Sequence, residues 1–542
     1  MKKISLLDCT LRDGGYVNDW EFGQNNLVRI YERLVDTGVD IIEVGFLDDR
    51  RPFDLNRSIM PDTYSAEKIW GCSSKRPPMV VGMIDYGTCK IENLQPCEES
   101  FFDGIRVIFK KHLMHEAMEY CRQVKELGYK VFSQLVSITS YTDEDLHELI
   151  KLVNDVKPYA VSIVDTYGLL HPKNLLHYYE ILDKYVDPKI QIGFHAHNNF
   201  QLAYANVLTF LEKESHHDIL VDGTLYGMGK SAGNAPLELL AMQLNENFEA
   251  DYKIQPMLES IEESVLDFYK TAPWGYQMFY YLCGYNKCHP NYVNYLQEKN
   301  NLSVSKLDSL LSRIEPEDKK LLYDGKIAES IYENFLTEEA DDTHCYARLE
   351  KELSNRELLL IGPGKNIALQ ETKIIDYITN HKPVIISVNY IPAAIKPDYI
   401  FITNTKRYLQ MAAQLQSPTN KDIKLIGTSN IECVNGAFTY HFNRAPLIEQ
   451  AERIKDNSFL MLLKILKKSN VKVVTCAGFD GYSQKEDNYL NPKMEYNFVK
   501  DATSYLNTHI KEKIGELRES LEINFLTYSH YDEMGDNHDA AF

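Results

Sequence analysis

Between residues 4 and 245, short apolar runs alternate with stretches in which apolar positions recur every three to four residues. Runs of four to eight apolar or β-branched residues bounded by turn-formers read as strands. The 3.6-residue period reads as helices with one buried face. The pattern predicts strands at 4–9, 40–46, 79–84, 104–109, 130–136, 160–164, 191–197 and 219–225, with helices such as 25–37, 113–127, 143–156 and 201–212 between them. Eight strand–helix units in this length predict the α/β class and a (β/α)8 TIM barrel. An open doubly wound sheet shows the same alternation, so the choice rests on the chemistry below.

From about 250 to 345 the pattern changes to long helical periods rich in Tyr and Leu, without strands. A charged stretch at 350–356 precedes a second alternating region, with strands predicted at 357–361, 384–388, 399–403, 423–427 and 471–476. The expected organisation is therefore a barrel domain at 1–248, a helical extension closing its site at 249–348, and an α/β domain at 349–542. The acidic residues 532–539 read as a frayed end.

Composition narrows the partners. The formal net charge of −20 argues against nucleic acid, which needs a basic surface, and against an anionic membrane. No apolar run is long enough to span a bilayer. The start has two lysines and a short apolar patch but lacks the longer apolar stretch of a signal peptide, so a cytoplasmic protein is expected. Ten cysteines without a C-x-x-C pair suggest neither a zinc ribbon nor a disulfide framework.

Three segments carry chemistry, and each follows a predicted barrel strand, where barrel active sites are built. After the first strand, Arg12 and Asp13 stand before Gly14 and Gly15, putting a cation and a hard oxygen ligand on tight backbone. An ordinary loop ion pair is the other reading. After the seventh, His195 and His197 are two residues apart, so a strand would present both imidazoles on one side. That spacing favours a metal over a core histidine. After the eighth, Gly227, Gly229 and Gly233 surround Lys230 and Asn234, and Asn234 could offer a carbonyl oxygen inward. A Gly-rich connector is the bland alternative. In a closed barrel, strand eight lies between strands seven and one, so all three segments would meet at one patch of the mouth.

Together the segments resemble the metallolyase superfamily of isopropylmalate synthases, 3-hydroxy-3-methylglutaryl-CoA lyases and 4-hydroxy-2-oxovalerate aldolases. The T-L-R-D-G run is Thr10 to Gly14, the H-x-H pair is His195 and His197, and the glycine loop ends in Gly233 and Asn234. The run Ala232-Gly233-Asn234-Ala235-Pro236 is similar to the aldolase branch. The resemblance implies that Asp13, His195 and His197 hold a divalent ion, Mn²⁺ or Mg²⁺, with Asn234 a further ligand, and that Arg12 stabilises a pyruvate enolate. It implies a C–C lyase acting on a 4-hydroxy-2-oxo acid, or condensing a 2-oxo acid with an aldehyde. A homo-oligomer is expected. The branch uses a base histidine where this chain has Tyr16, so Tyr16 acts as an acid, or His171 supplies the base, or the reaction is an acyl-CoA-dependent condensation. Glu43 is expected to ligate the ion or orient a ligand, with a buried hydrogen bond inside the barrel as the other reading, and Arg106 and Lys110 to meet a carboxylate or pair within the barrel. In the helical region Trp274 to Tyr280 is similar to the segment that gives the aldolases a tyrosine, making Tyr276 or Tyr280 a candidate.

In the last region, Gly362-Pro363-Gly364 between a strand and a helix allows an anion cradle, but a lone G-P-G is a weak signal and a plain tight turn is the favoured reading. With 396–404 and 476–482 it is weakly similar to Rossmann-like pterin-pyrophosphokinase-like and sialyltransferase-like domains. The resemblance implies a nucleotide or nucleotide sugar, in surface-glycan metabolism, and allows a binding protein in which the barrel is a partner domain.

Overall fold

The computed structural model describes residues 3–299, 302–431, 438–449, 456–484, 487–491, 494, 500 and 502–532, the side chain of Asp318 apart. The acidic end expected at 532–539 lies outside the described residues, except for Asp532. The chain divides into two compact units: residues 1–295 with 311–325, and residues 296–310 with 326–542.

In the first unit eight parallel strands close on themselves: β1 (Ile4–Asp8), β2 (Ile41–Leu47), β4 (Met79–Asp85), β5 (Gly104–Phe109), β6 (Lys130–Leu135), β7 (Ala160–Asp165), β8 (Gln191–Ala196) and β9 (Ile219–Gly223). β1 pairs with both β9 and β2, which completes the barrel. A two-residue strand, β3 (Ile59–Met60), adds to the edge of β2. It is too short to leave a periodic signal, and the sequence reading has no strand there. Helices such as Gln24–Thr37, Met114–Glu126 and Asp143–Val156 bury their apolar faces against the strands. Thr142 caps the last of these with a full capping box.

Two-residue alternation sets what fills the barrel. Leu7, Ile41, Met79, Val81, Phe132, Ala160 and Leu220 form an apolar cluster at the start of the strands. Each large aliphatic or aromatic side chain buried there is worth about 1.5–3 kcal/mol. Two residues further on, the positions become Cys9, Glu43, Gln134, Ser162 and Asp222, all buried. The strands thus climb from an apolar floor to a polar, charged layer at their C-terminal ends.

The second unit is a seven-stranded parallel sheet in the order β14-β13-β12-β11-β10-β15-β16. Its strands are β10 (Leu358–Ile361), β11 (Val384–Val388), β12 (Tyr399–Ile402), β13 (Lys424–Thr428), β14 (Tyr440–Phe442), β15 (Val473–Ala477) and β16 (Glu522–Phe525). β14 and β16, of three and four residues, are not in the sequence reading. The helix Ser458–Lys468 supplies Leu460, Leu463 and Leu466 to the core. Helix Thr343–Leu353 adds Tyr346, Leu349 and Leu353 to the same core, and residue 349, the expected boundary, falls inside that helix. Among the described residues no helix is long and apolar enough to cross a membrane.

Candidate metal centre

Closure brings the three sequence segments to one place. Asp13 follows β1, His195 lies on β8, His197 just beyond it, and Asn234 in the loop after β9. His195 Nε2 and His197 Nε2 stand 3.3 Å apart. Asp13 Oδ2 lies 3.6 Å from the first and 3.8 Å from the second. One donor atom from each of these buried residues therefore lies within 4.8 Å of the others.

The loop after β9 is shaped around Asp13. Asn234 donates from its amide to Asp13 Oδ1 at 2.9 Å, and the Lys230 N–H donates to the same oxygen at 3.1 Å. A Cβ on Gly229 would sit 2.1 Å from Asn234 Nδ2 and 2.6 Å from Asp13 Oδ1, so only glycine fits. Asn234 Oδ1 is buried without a partner. His197 meets Asn234 in a backbone bridge, which ties β8 to this loop.

Behind the three donors runs a line of buried ion pairs. Arg12 pairs with Asp13 and donates from Nε to Glu43 Oε2 at 2.7 Å. The fully buried Arg106 donates to the same Glu43 oxygen at 3.0 Å, to Gln134 Oε1 at 3.0 Å, and pairs with Asp222. Asp222 Oδ2 lies 3.0 Å from His195 Nδ1. Asp222 thus accepts the Nδ1 proton and orients the ring, with Nε2 toward His197 and Asp13. Glu43 Oε2 thus accepts from both arginines. Arg106 pairs within the barrel, whereas Lys110 lines a side cavity.

The chemistry of the donor set tests whether these residues suit a cation. Three carboxylates, Asp13, Glu43 and Asp222, are set against two guanidiniums and the Lys230 ammonium, whose field reaches Asp13. Burial opposes the His195 imidazolium, but hydrogen bonds to Asp13 and Asp222 outweigh burial and raise its pKa. Burial pushes His197 down to about 3. Burial opposes the Asp13 carboxylate too, yet Arg12 and His197 hold its pKa well below the usual range. A carboxylate oxygen and two ring nitrogens face one buried space. A divalent ion fits that donor set. A second cluster, Cys9 with His195 and Asp222, fits less well. Burial raises the Cys9 thiol far above its ordinary pKa, and its proton goes to the Gly223 carbonyl at 3.4 Å.

The other expected residues divide. Tyr16 stands at the mouth, edge-on to Trp20 at 4.8 Å. Desolvation and then the Asp13 carboxylate raise its pKa, so it stays a phenol. His171 is exposed, stacks on Phe200 and lines the side cavity. Tyr276 is 63% exposed and is not brought to the cluster: Trp274 anchors to the Tyr226 carbonyl at 2.8 Å, and Gly275, with φ of +107°, turns the chain outward. Tyr280 faces Cys283, and burial raises its pKa.

Two residues at the mouth escaped the sequence reading. Lys230 Nζ lies 5.3 Å from the Tyr16 ring and 5.5 Å from the Tyr167 ring. His289 packs on Tyr167 at 5.4 Å. Burial, with the fields of Lys230 and Lys110, pushes His289 down to about 3 and keeps it neutral. The Asn291 N–H donates to its Nδ1 at 3.1 Å, which leaves the ring proton on Nε2. The motif loop gave a signal for Lys230, and the run His289 to Val293 continues the resemblance in the helical region, although the sequence assigns neither residue a role.

A family profile described as HMGL-like matches residues 3–263. Residues 3–263 belong to the HMGL-like family. The 2-isopropylmalate synthase of Sulfolobus acidocaldarius is 26% identical to this HMGL-like region over 261 residues, covering 47% of this chain and 66% of that protein. The 4-hydroxy-2-oxovalerate aldolase of Chloroflexus aggregans is 29% identical over 252 residues, covering 45% and 70%. The oxaloacetate decarboxylase of Mycobacterium tuberculosis is 27% identical over 241 residues, covering 44% and 69%. The chain thus spans about two thirds of the length of these curated relatives. Among solved structures, the Bacillus subtilis HMG-CoA lyase aligns over 51% of this chain and 95% of its own, at 16% identity and a TM-score of 0.41. The HMGL-like domain is enzymatic in kind, and its relatives' names span synthase, aldolase and decarboxylase.

Proposed function

We propose that this chain is a divalent-metal-dependent aldolase that works through the enolate of a pyruvate unit. It would cleave a 4-hydroxy-2-oxo acid or run the reverse condensation with an aldehyde. The observation that carries the reading is the pair of buried ring nitrogens 3.3 Å apart beside the Asp13 carboxylate. Asp13, His195 and His197 would hold the ion, with Asn234 Oδ1 available as a further oxygen. Bound there, Mn²⁺ or Mg²⁺ supplies a Lewis acid for the oxygens of a 2-oxo acid.

The chain's own groups supply the rest. Arg12 uses Nε on Glu43 and Nη1 on Asp13, so Nη2 is left to meet negative charge developing on a substrate oxygen. Tyr16 keeps its proton and serves as donor: it protonates the aldehyde oxygen in condensation, or holds the substrate hydroxyl in cleavage. Lys230 adds a positive field over Tyr16, which favours giving the proton up when charge develops next to it. An acyl-CoA condensation is the competing chemistry, supported by the synthases among the relatives.

The test is to strip metal with a chelator, restore Mn²⁺ or Mg²⁺, and follow pyruvate with a panel of aldehydes by mass spectrometry. Metal-dependent adducts one pyruvate heavier than the aldehyde are expected. Full turnover in metal-free protein, or product only with acetyl-CoA, overturns the proposal.

A further inference from the structure

Beside the metal centre, on the β5–β7 side of the mouth, lies a cavity of about 1030 Å³. All its walls belong to the first unit: the loops after β5, β6 and β7, the start of the helix Pro172–Tyr185, Phe200 after β8, the end of the helix Met278–Tyr285 with Lys287, and residues 317–322. Nothing in the sequence motifs points to it.

Its charge is unusual for a chain of net −20. Lys110, Lys111, Lys287 and Lys319 all line it, against a single carboxylate, Glu317. Lys111 is already spent, on Asp145 at 2.9 Å and the Ser140 carbonyl at 3.0 Å. Glu317 is neutralised by Lys320, which is not part of the wall, at 2.8 Å. Lys110, Lys287 and Lys319 make no ion pair among the described residues. Lys287 and Lys319, with Lys110, whose field also reaches the Asp85 carboxylate, surround one concave space and attract an anion.

The remaining lining gives the ligand's body. Ser137, Thr139 and Asn174 offer hydroxyl and amide groups, while Leu169 and Phe200 form apolar wall. The volume is at the upper end of small-molecule sites and far exceeds the needs of a three-carbon acid. Tyr167 links the cavity to the metal centre. Its ring faces Lys230, and its hydroxyl donates to the carbonyl of Leu321, a cavity wall residue, at 2.9 Å.

We infer that this cavity takes the acceptor half of the reaction, a sugar-sized aldehyde ending in a phosphomonoester or carboxylate. This rests on the enolate reading above. In the condensation the pyruvate methyl loses a proton and its carbon bonds to the aldehyde carbon. The aldehyde oxygen gains a proton, and no oxidant or reductant is needed. Lys110, Lys287 and Lys319 hold the distal anion and so determine specificity.

The experiment uses Mn²⁺-loaded full-length protein. Deuterium exchange into the pyruvate methyl, read by NMR without any aldehyde, tests the enolate reading alone. Glyceraldehyde 3-phosphate, succinic semialdehyde and glyceraldehyde then serve as phosphorylated, carboxylated and neutral acceptors. An anionic acceptor should exceed glyceraldehyde in kcat/KM by about 10–100-fold, the scale of charge-assisted hydrogen bonds. In K110Q/K287Q/K319Q that ratio should fall toward one, with K287Q alone giving part of the loss. Equal use of charged and neutral aldehydes, or an unchanged ratio in the triple variant, overturns the inference. So does acetyl-CoA condensing in their place. If the methyl does not exchange, the enolate reading fails by itself. Calorimetry with inorganic phosphate then decides the cavity: binding that the triple variant loses supports it, and no binding overturns it.

Discussion

The chain contains two parallel sheets, each ending in glycine-bearing loops, and they use those loops in opposite ways. In the closed sheet, loops after β1, β8 and β9 leave polar atoms unmatched: two ring nitrogens face each other and Asn234 Oδ1 has no partner. In the open sheet, the strand order reverses between β10 and β15, the place where such sheets bind ligands. There the backbone N–H donors are taken by the chain itself. The Gly362 N–H goes to the Ala477 carbonyl at 2.8 Å and the Gly364 N–H to Gly478 at 2.9 Å. The Asn366 N–H goes to Asp480 Oδ2 at 2.9 Å. A carboxylate of the chain occupies the position where a phosphate would be cradled. A glycine turn over a sheet edge becomes a binding site only where its donors stay uncommitted.

The largest effects should come from removing the unmatched donors. Asp13→Asn or His195→Ala should abolish bound Mn²⁺, read by elemental analysis, and lower activity by more than the ~10–100-fold typical of an outer partner. Retained metal in both variants breaks the comparison. Next comes Tyr16→Phe, expected to slow turnover by about 10²–10⁴-fold with metal content unchanged. A few-fold effect would remove Tyr16 from proton transfer. Arg12→Lys keeps the charge but loses the planar fork, and kcat should fall by about 10²–10³-fold at normal metal occupancy. An unaltered kcat would make Arg12 purely a strut for Glu43 and Asp13.

The smallest effect belongs to the open sheet. Asp480 is pushed up to about 6 by burial, against the hydrogen bond from Asn366, and has one unpartnered oxygen. Asp480→Ala should cost about 1 kcal/mol, a Tm shift of a few degrees, and leave barrel activity unchanged. If it also creates phosphate affinity, measured by calorimetry, the occupied-cradle account is sharpened. If the wild type binds a nucleotide with Asp480 in place, that account fails.

The sequence carried the donors and much of the fold because both follow local rules. Strand alternation puts His195 and His197 on one side, and strand–helix periodicity marks all eight barrel strands within a residue or two. What stayed hidden depends on closure or on single backbone angles. Glu43 and Arg106 are 63 positions apart, and only a closed barrel lets them meet Asp222 across it. Lys230 reaches Tyr16 because Tyr226, Gly227, Ser231 and Gly233 take left-handed angles in one loop. Tyr276 looked plausible beside Trp274 until Gly275 turned it away. β3, β14 and β16 are too short to carry a period.

The rim of the barrel is divided. Loops after β1, β8 and β9 carry Asp13, His197 and Asn234, while those after β5, β6 and β7 wall the side cavity, joined by Phe200 from the loop after β8. Mutational drift in the β5, β6 and β7 loops can therefore act without touching the donor-bearing segments. Substitutions at 110–112, 136–140 or 169–174 lie in segments that share no backbone with Asp13, His195 or Asn234. A lineage could trade acceptors through that arc while its carbon-acid chemistry stayed fixed, and a directed-evolution library confined to those loops would search partner choice at little risk to the catalyst.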